Sequence, residues 1–174
     1  MVKKLSNLTI SFNIEELLES IDIEKVQFIN DASHNLQTST DQYGIAPFSR
    51  HIFKEHLPQE VVSFVDGLGF KNYGCNLLIQ HPGECSPLHY DLFLYQQEVN
   101  NNTSRDDYFR FIIFLKDRVI GQFYHIEDKQ LDWKKGDMYY QDTKEYHCGG
   151  NISNETRYTL IIDTSKEMSP YGNS

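Results

Sequence analysis

The chain has 174 residues, 39% of them hydrophobic, and 25 Asp and Glu oppose 16 Lys and Arg for a formal charge of −9. That is the length of one domain with enough apolar residues for a core, and no apolar run approaches the ~20 residues of a membrane-spanning helix. The acidic balance argues against nucleic acid as a partner, because phosphate-backbone binding needs clustered Lys and Arg. Cys75, Cys85 and Cys148 are odd in number and lack CxxC spacing, so no disulfide framework is expected and a reducing cytoplasm fits. The basic opening Met-Val-Lys-Lys-Leu-Ser-Asn is followed by no apolar h-region and does not read as a signal peptide. The sequons at Asn7, Asn151 and Asn154 therefore read as chance.

Residues 7–12 alternate apolar and polar and are expected to form an edge strand. Asn13, with Glu16 three residues on, opens a helix whose apolar face is Ile14, Leu17, Leu18 and Ile21. Lys25–Asn30 reads as a second strand, and 31–48 as a long polar loop. Ser49–His56 is expected to be helical. Leu57–Gly67 is a firmer helix, with Pro58 in its first turn and Gly67 at its stop; His51 and His56 read as structural or exposed. From Lys71 the chain reads as strands: Tyr73–Gln80, a turn at Pro82-Gly83, Pro87–Tyr95, then a polar loop over Gln96–Asp107. Tyr108–Lys116, Val119–Glu127, Asp137–Gln141, Tyr146–Gly149 and Arg157–Asp163 follow. His125 reads as a barrel-wall residue and Trp133 as a packing residue at a turn. The tail, Thr164–Ser174, is expected to be loose. Closely spaced strands with few late helices suggest a jelly roll. The fold class is mainly β (α+β): residues 1–70 form a helical buttress and first strands, 71–163 a jelly-roll core, and 164–174 a tail of one domain.

The chemistry centres on Pro87–Tyr95. Residues two apart in a strand point to the same side, so His89 and Asp91 would converge as two ligands of a divalent metal, with His147 as the third. A His-x-Asp pair alone carries little in a chain with seven His and 25 acids; the segment around His147 adds to it. Two neutral imidazoles and one carboxylate leave three coordination positions open, the facial triad of non-haem Fe(II) oxygenases. Such a site is net positive and attracts an anion. A keto acid can chelate through its 1-carboxylate and 2-oxo group, which leaves one position for O2. The far carboxylate of a five-carbon diacid needs a forked, permanently charged partner. Arg157, on the strand expected beside that of His147, is suited to this, and Thr159 faces the same way. Asn76 and Gln80, with Leu78 between them, share a strand face and would hydrogen-bond the keto acid.

The order Gly83, His89-Tyr90-Asp91, Lys135-Gly136-Asp137, His147-Cys148-Gly149 and Arg157 resembles the Fe(II)/2-oxoglutarate dioxygenases, most closely the prolyl 4-hydroxylase-like branch, over roughly residues 72–163. The resemblance implies a double-stranded β-helix with N-terminal supporting helices. It implies Fe(II) on His89, Asp91 and His147, with 2-oxoglutarate on Arg157, and O2 as co-substrate. The implied reaction couples oxidative decarboxylation of 2-oxoglutarate to hydroxylation of a C–H bond, with succinate and CO2 as co-products. Prolyl hydroxylases usually place a Tyr near Gln80-His81, and that departure bears on prolyl specificity.

Three readings follow. The first is a hydroxylase of a peptidyl, prolyl-type residue; the second, a hydroxylase of a small metabolite or free amino acid; the third, a metal-binding jelly roll without turnover, acting as a sensor or binding module. Tyr90, Gln96, Asn101 and Arg105 are the residues expected to meet substrate. The 96–107 loop has no apolar residue except Val99 and is expected to fold over a peptide substrate. Neither membrane nor nucleic acid is expected as a partner, and the oligomeric state is not legible.

Overall fold

A computed structural model describes residues 2–21, 50–91, 93, 107–142 and 144–171. Among these, ten strands build two antiparallel sheets. The larger has the order β1 (Lys3–Asn7), β8 (Asp137–Asp142), β5 (Tyr108–Phe114), β10 (Arg157–Ser165), β3 (Gly74–Gln80) and β2 (Arg50–Phe53). The smaller has the order β4 (Cys85–His89), β9 (His147–Asn151), β6 (Gln122–Ile126) and β7 (Lys129–Gln130). From β3 onward the chain crosses to the other sheet at each step, except in the β6–β7 hairpin. That alternation is the jelly-roll, or double-stranded β-helix, winding. The β3–β4 crossing is made by the turn His81–Glu84, with the Glu84 N–H donating to the His81 carbonyl at 3.0 Å and Gly83 at φ +89°. A left-handed residue at that turn position favours glycine.

Period-two alternation sorts the side chains into two cores. Odd positions of β5 (Phe109, Phe111, Ile113) and even positions of β10 (Tyr158, Leu160, Ile162) face outward from the barrel. There they pack with Ile14 and Leu18 of α1 (Ile14–Glu19) and with Val61 and Val65 of α2 (Gln59–Gly67). The opposite faces, with Ile112, Phe114 and Tyr139, meet Tyr124 and Ile126 of the smaller sheet inside the barrel. Trp133 belongs to this inner core: its ring stacks on Phe114 with centroids 4.1 Å apart. Asn13 caps α1 as expected: its Oδ1 accepts from the Glu15 N–H at 3.1 Å and its Nδ2 donates to Glu16 at 2.8 Å. The apolar faces of α1 and α2 are what fasten these short helices, since neither is long enough to be stable alone.

Several elements differ from the sequence expectation. The first strand is Lys3–Asn7, not 7–12; beyond it Leu8 donates to the Gly136 carbonyl at 2.7 Å and then leaves the sheet. Ser49–His56 is not a helix: Arg50–Phe53 pairs with β3, and only Lys54–His56 turns, as a 3-10 helix. Ile52 and Phe53 favour extended backbone, and pairing beside Leu77 decides the outcome. The two-residue strand β7 carries too little pattern to be read. The tail is docked as far as Tyr171. β10 runs to Ser165, the Lys71 N–H donates to the Met168 carbonyl at 3.0 Å, and Tyr171 packs on Phe70 and Phe111 at 5.8 and 5.7 Å. The expected strand Lys25–Asn30 and loop 31–48 lie outside the described residues. Asn151 is buried and donates to the carbonyls of Gln80 and Glu155 at 2.8 and 2.7 Å, which leaves no room for a glycan.

Gly136 opens β8 at φ +87°, and a Cβ there would run into the Leu8 carbonyl oxygen. Gly136→Ala combines backbone strain with a backbone clash. It should lower unfolding stability by about 2 kcal/mol or more in urea titration; a loss below about 0.5 kcal/mol would show that the Leu8 segment gives way freely.

Candidate metal centre and anion pocket

Pro87 sits within β4, an edge strand of the smaller sheet. Proline has no N–H for a ladder, so it is tolerated at an edge and favours irregular pairing. The β4–β9 register indeed shifts between Ser86 and His89. The Pro87 carbonyl is thereby free to accept from His89 Nδ1–H at 2.7 Å, which leaves the Nε2 lone pair for a ligand. His89 pairs directly opposite His147 at the start of β9, with ring centroids 4.3 Å apart. His147 Nδ1 lies 3.1 Å from the Glu145 carbonyl oxygen and 2.7 Å from the Gln141 side-chain amide nitrogen; with Nδ1–H donating to Glu145, which frees Nε2, the Gln141 amide turns its oxygen to the ring. Its Nε2 lies 3.3 Å from Asp91 Oδ2. The ring stacks on Tyr124, whose hydroxyl lies 3.1 Å from the Gln141 side-chain amide.

Ligand atoms of His89, Asp91 and His147 all lie within 4.8 Å of one another. Cis ligands about 2 Å from a metal sit about 3 Å apart, so side-chain shifts of roughly an ångström would close this cluster on an ion. The protonation states suit it. Burial, opposed by Asp91, pushes the His147 pKa down to about 4, so the ring is neutral at pH 7. Burial raises the Asp91 carboxyl, but Arg110, His147 and His89 outweigh it and hold it below the usual carboxylate value. One expectation needs correction. The strand expected over Pro87–Tyr95 is instead β4, Cys85–His89, and Asp91 lies past its end; residues 92, 94 and 95 lie outside the described residues. The two ligands converge through the chain's turn away from the sheet and an outside tether, not through strand alternation.

That tether is Arg110, which the sequence reading passed over inside an apolar strand. Its Nη1 donates to Asp91 Oδ2 at 2.5 Å, while Nε and Nη2 donate to the two oxygens of Asp163 at 2.8 and 3.0 Å. A lone Arg within Tyr108–Lys116, and an Asp closing the run Leu160-Ile161-Ile162, were the available signals: charges on a doubly covered strand need a reason.

Arg157 lies elsewhere than expected. β10 is in the larger sheet and β9 in the smaller, so Arg157 faces His147's strand across the barrel instead of flanking it. It is 2% exposed, and among the described residues no carboxylate pairs with it. Nη1 donates to the Phe123 carbonyl at 2.5 Å; Nε and Nη2 have no partner among the described residues. The guanidinium lies over Tyr124 and Trp133, 5.7 and 5.8 Å from the ring centres. Burial lowers its pKa to about 10, which still leaves it charged at neutral pH. A Cβ on Gly149 would fall 2.8 Å from Arg157 Nη2, so glycine there makes space for the side chain.

Two more buried polar atoms lack partners beside it, Thr159 Oγ1 and Gln80 Oε1. Gln80 is the cross-strand partner of Arg157, and its Nε2 donates to Ser86 at 3.2 Å. An unpaired buried cation beside an unsatisfied hydroxyl is costly in an otherwise satisfied interior. It is the donor set an inserted carboxylate would complete. Asn76 is half-buried, and its Oδ1 is engaged by His51 at 2.9 Å. Tyr90 is 39% exposed and meets Tyr146 edge-on at 5.2 Å, outside the cluster. Gln96, Asn101 and Arg105 lie outside the described residues, as does the 96–107 loop apart from Asp107. A surface hollow lined by Leu18, Arg50, Ile79 and Tyr158 lies on the outer face of the larger sheet, away from this chemistry.

No family model and no curated protein matches the chain. Solved structures do. A cupin 2 conserved barrel domain protein from Salinispora arenicola is 10% identical, over 94% of this chain and 96% of that one, with a TM-score of 0.49. An RmlC-like cupin with a double-stranded β-helix fold from Methanocaldococcus jannaschii is 16% identical, over 53% of this chain and 70% of that one, with a TM-score of 0.39. A non-haem monooxygenase solved with nickel is 17% identical, over 64% of this chain and 52% of that one, with a TM-score of 0.43. No helix among the described residues is long and apolar enough to cross a membrane.

His147 makes the metal-free protein sensitive to acid. Its folded pKa of about 4 lies below an unfolded value near 6.5, so the unfolded chain binds the extra proton as pH falls. Stability should therefore drop between pH 6.5 and 4, by up to roughly 3 kcal/mol relative to a His147→Gln variant, as measured by chelator-treated urea unfolding at several pH values. Parallel pH profiles for the two proteins would contradict the burial assigned to this imidazole.

Proposed function

We propose that the protein is an Fe(II)- and 2-oxoglutarate-dependent oxygenase that hydroxylates a C–H bond. The observation that carries this reading is Arg157: a buried, charged guanidinium without a counter-anion among the described residues, in the same barrel as the His89, Asp91 and His147 cluster. A metal-binding module without turnover has no use for that cost, nor has an oxygenase that takes no keto acid.

The residues fit a divalent metal and a keto acid. His89, Asp91 and His147 would hold Fe(II), which supplies the activation of O2 that side chains cannot. Arg157, with Thr159, would take the far carboxylate of 2-oxoglutarate. Gln80 would serve once its amide turns to present its N–H, since a carboxylate cannot donate to the free Oε1. The inner aromatic core of Phe114, Trp133 and Tyr139 would give such an ion pair an apolar surrounding, which strengthens it. In the overall reaction one oxygen atom of O2 enters the substrate C–H bond as a hydroxyl. The other ends in the new carboxylate of succinate, and C1 of the keto acid leaves as CO2.

The proposed substrate is a peptidyl residue, prolyl-type being the leading choice. The exposed side chains Leu88, Tyr90 and Tyr146 beside the cluster support a ligand that reaches outside the barrel. A fully enclosed small metabolite would leave them idle.

Purified protein with Fe(II), O2 and 2-oxoglutarate should form succinate, even slowly without added substrate. Asp91→Ala should abolish this while the fold survives. Arg157→Ala should raise the 2-oxoglutarate requirement, at a cost of about 2–5 kcal/mol, and Arg157→Lys should recover only part because Lys cannot present a fork. Metal binding without any succinate would turn the reading toward a binding module.

Thr159→Val tests the same pocket from the stability side. It removes a buried hydroxyl that has no partner, so it should stabilise the ligand-free protein by about 1 kcal/mol while weakening 2-oxoglutarate binding. Destabilisation together with unchanged affinity would mean that the hydroxyl serves the fold and not the co-substrate.

A further inference from the structure

We infer that Arg110 is the positioning residue for the metal-binding carboxylate, with Asp163 as the counterweight that keeps Arg110 from competing with the metal for it. This rests on the reading that His89, Asp91 and His147 hold a metal.

The need arises from the chain's path. His89 and His147 are placed by the β4–β9 pairing, directly opposite each other. Asp91 lies beyond the end of β4 and has no ladder partner to place it. What holds its carboxylate is a side chain from the other sheet, Arg110 of β5, bonded to Oδ2. Arg110 is itself immobilised. Asp163, its direct cross-strand partner on β10, accepts from Nε and Nη2 in a two-oxygen fork. The Phe93 ring covers the guanidinium at 5.3 Å. A planar guanidinium fixed along one edge points its remaining N–H in one direction.

Two consequences follow for a bound divalent ion. Oδ2, the oxygen that Arg110 engages, is also the one 3.3 Å from His147 Nε2, so Arg110 fixes the carboxylate at the oxygen that faces the cluster, and a carboxylate held there binds through one atom and leaves coordination positions open for a chelating co-substrate. The charges also balance: Arg110 and Asp163 cancel, so Asp91 brings a full negative charge to the metal. Arg110 differs here from Arg157. All three of its nitrogens are committed, whereas Arg157 keeps two without partners. The two buried arginines thus divide the work, one toward the metal ligand and one toward an incoming anion.

The test measures Mn(II) affinity by the electron paramagnetic resonance signal of free Mn(II), without keto acid or O2, alongside urea unfolding of the metal-free protein. Arg110→Lys keeps the charge but loses the fork, and should raise the Mn(II) Kd several-fold. Arg110→Met should raise it 10- to 100-fold, the usual effect of removing a partner of a metal ligand. Arg110→Met alone strands Asp163 and destabilises the fold. The double variant Arg110→Met/Asp163→Leu replaces the whole buried pair with apolar groups and should unfold at the wild-type midpoint. Its Mn(II) affinity should stay as weak as in the single variant. Wild-type Mn(II) affinity in both the Lys variant and the double variant would make Arg110 a purely structural residue and overturn the inference. Absence of saturable Mn(II) binding by the wild type, or identical binding by Asp91→Ala, would instead overturn the metal reading itself, and this inference with it.

Discussion

The two-residue alternation of β10 is the constraint on which the rest of the molecule depends. This strand lies inside the larger sheet, between β5 and β3, and both of its faces are covered. Tyr158, Leu160 and Ile162 join the core beneath the helices, while Arg157, Thr159 and Asp163 point into the barrel. A slip of one residue would exchange the two sets, putting an arginine and an aspartate under α1 and α2 and leaving the barrel without its polar lining. Register is therefore fixed from both sides: the apolar face is worth too much to expose, and the charged face too costly to bury without its partners.

The polar lining is unevenly satisfied, and that unevenness separates scaffold from pocket. Arg110 is fully bonded, which offsets its desolvation. Its pKa shows the balance: burial opposes the charge, but Asp163 and Asp91 outweigh it and hold the group well above its ordinary value. Arg157 has no such company, and burial alone dominates it. The same fold thus contains one arginine whose energetics are closed and one whose energetics are open. The open one sits with an unpartnered hydroxyl and an unpartnered amide oxygen. Sites that bind charged ligands commonly carry this kind of local instability, released when the ligand arrives.

Much of this was legible in the sequence, because alternation and turn chemistry are local signals. The strands β3, β5, β6, β8, β9 and β10, the Asn13 cap, the Pro82-Gly83 turn and the inward direction shared by Arg157 and Thr159 could all be read from neighbours in the chain. What could not be read depends on partners far away. Arg50–Phe53 becomes a strand only because β3 offers a free edge. Asp91 looks like a strand residue until Pro87 disrupts the ladder and Arg110, 19 residues on, fixes the carboxylate from the other sheet. Arg110 and Asp163 are 53 residues apart and reveal their pairing only once β5 and β10 lie side by side. Tyr124 and Gln141 support His147 in the same way: each looks like an ordinary strand residue, and only the barrel closure brings them to the ring.

The central claim is that one barrel interior holds a metal on three residues and an anion on a fourth. An anaerobic crystal structure with Mn(II) and 2-oxoglutarate tests it most directly. The account predicts one metal bonded to His89 Nε2, His147 Nε2 and a single carboxylate oxygen of Asp91. It also predicts that the keto acid chelates that metal and rests its far carboxylate on Arg157 and Thr159. A metal bound away from these three side chains, or a keto acid whose far carboxylate leaves Arg157 unpaired, would contradict it.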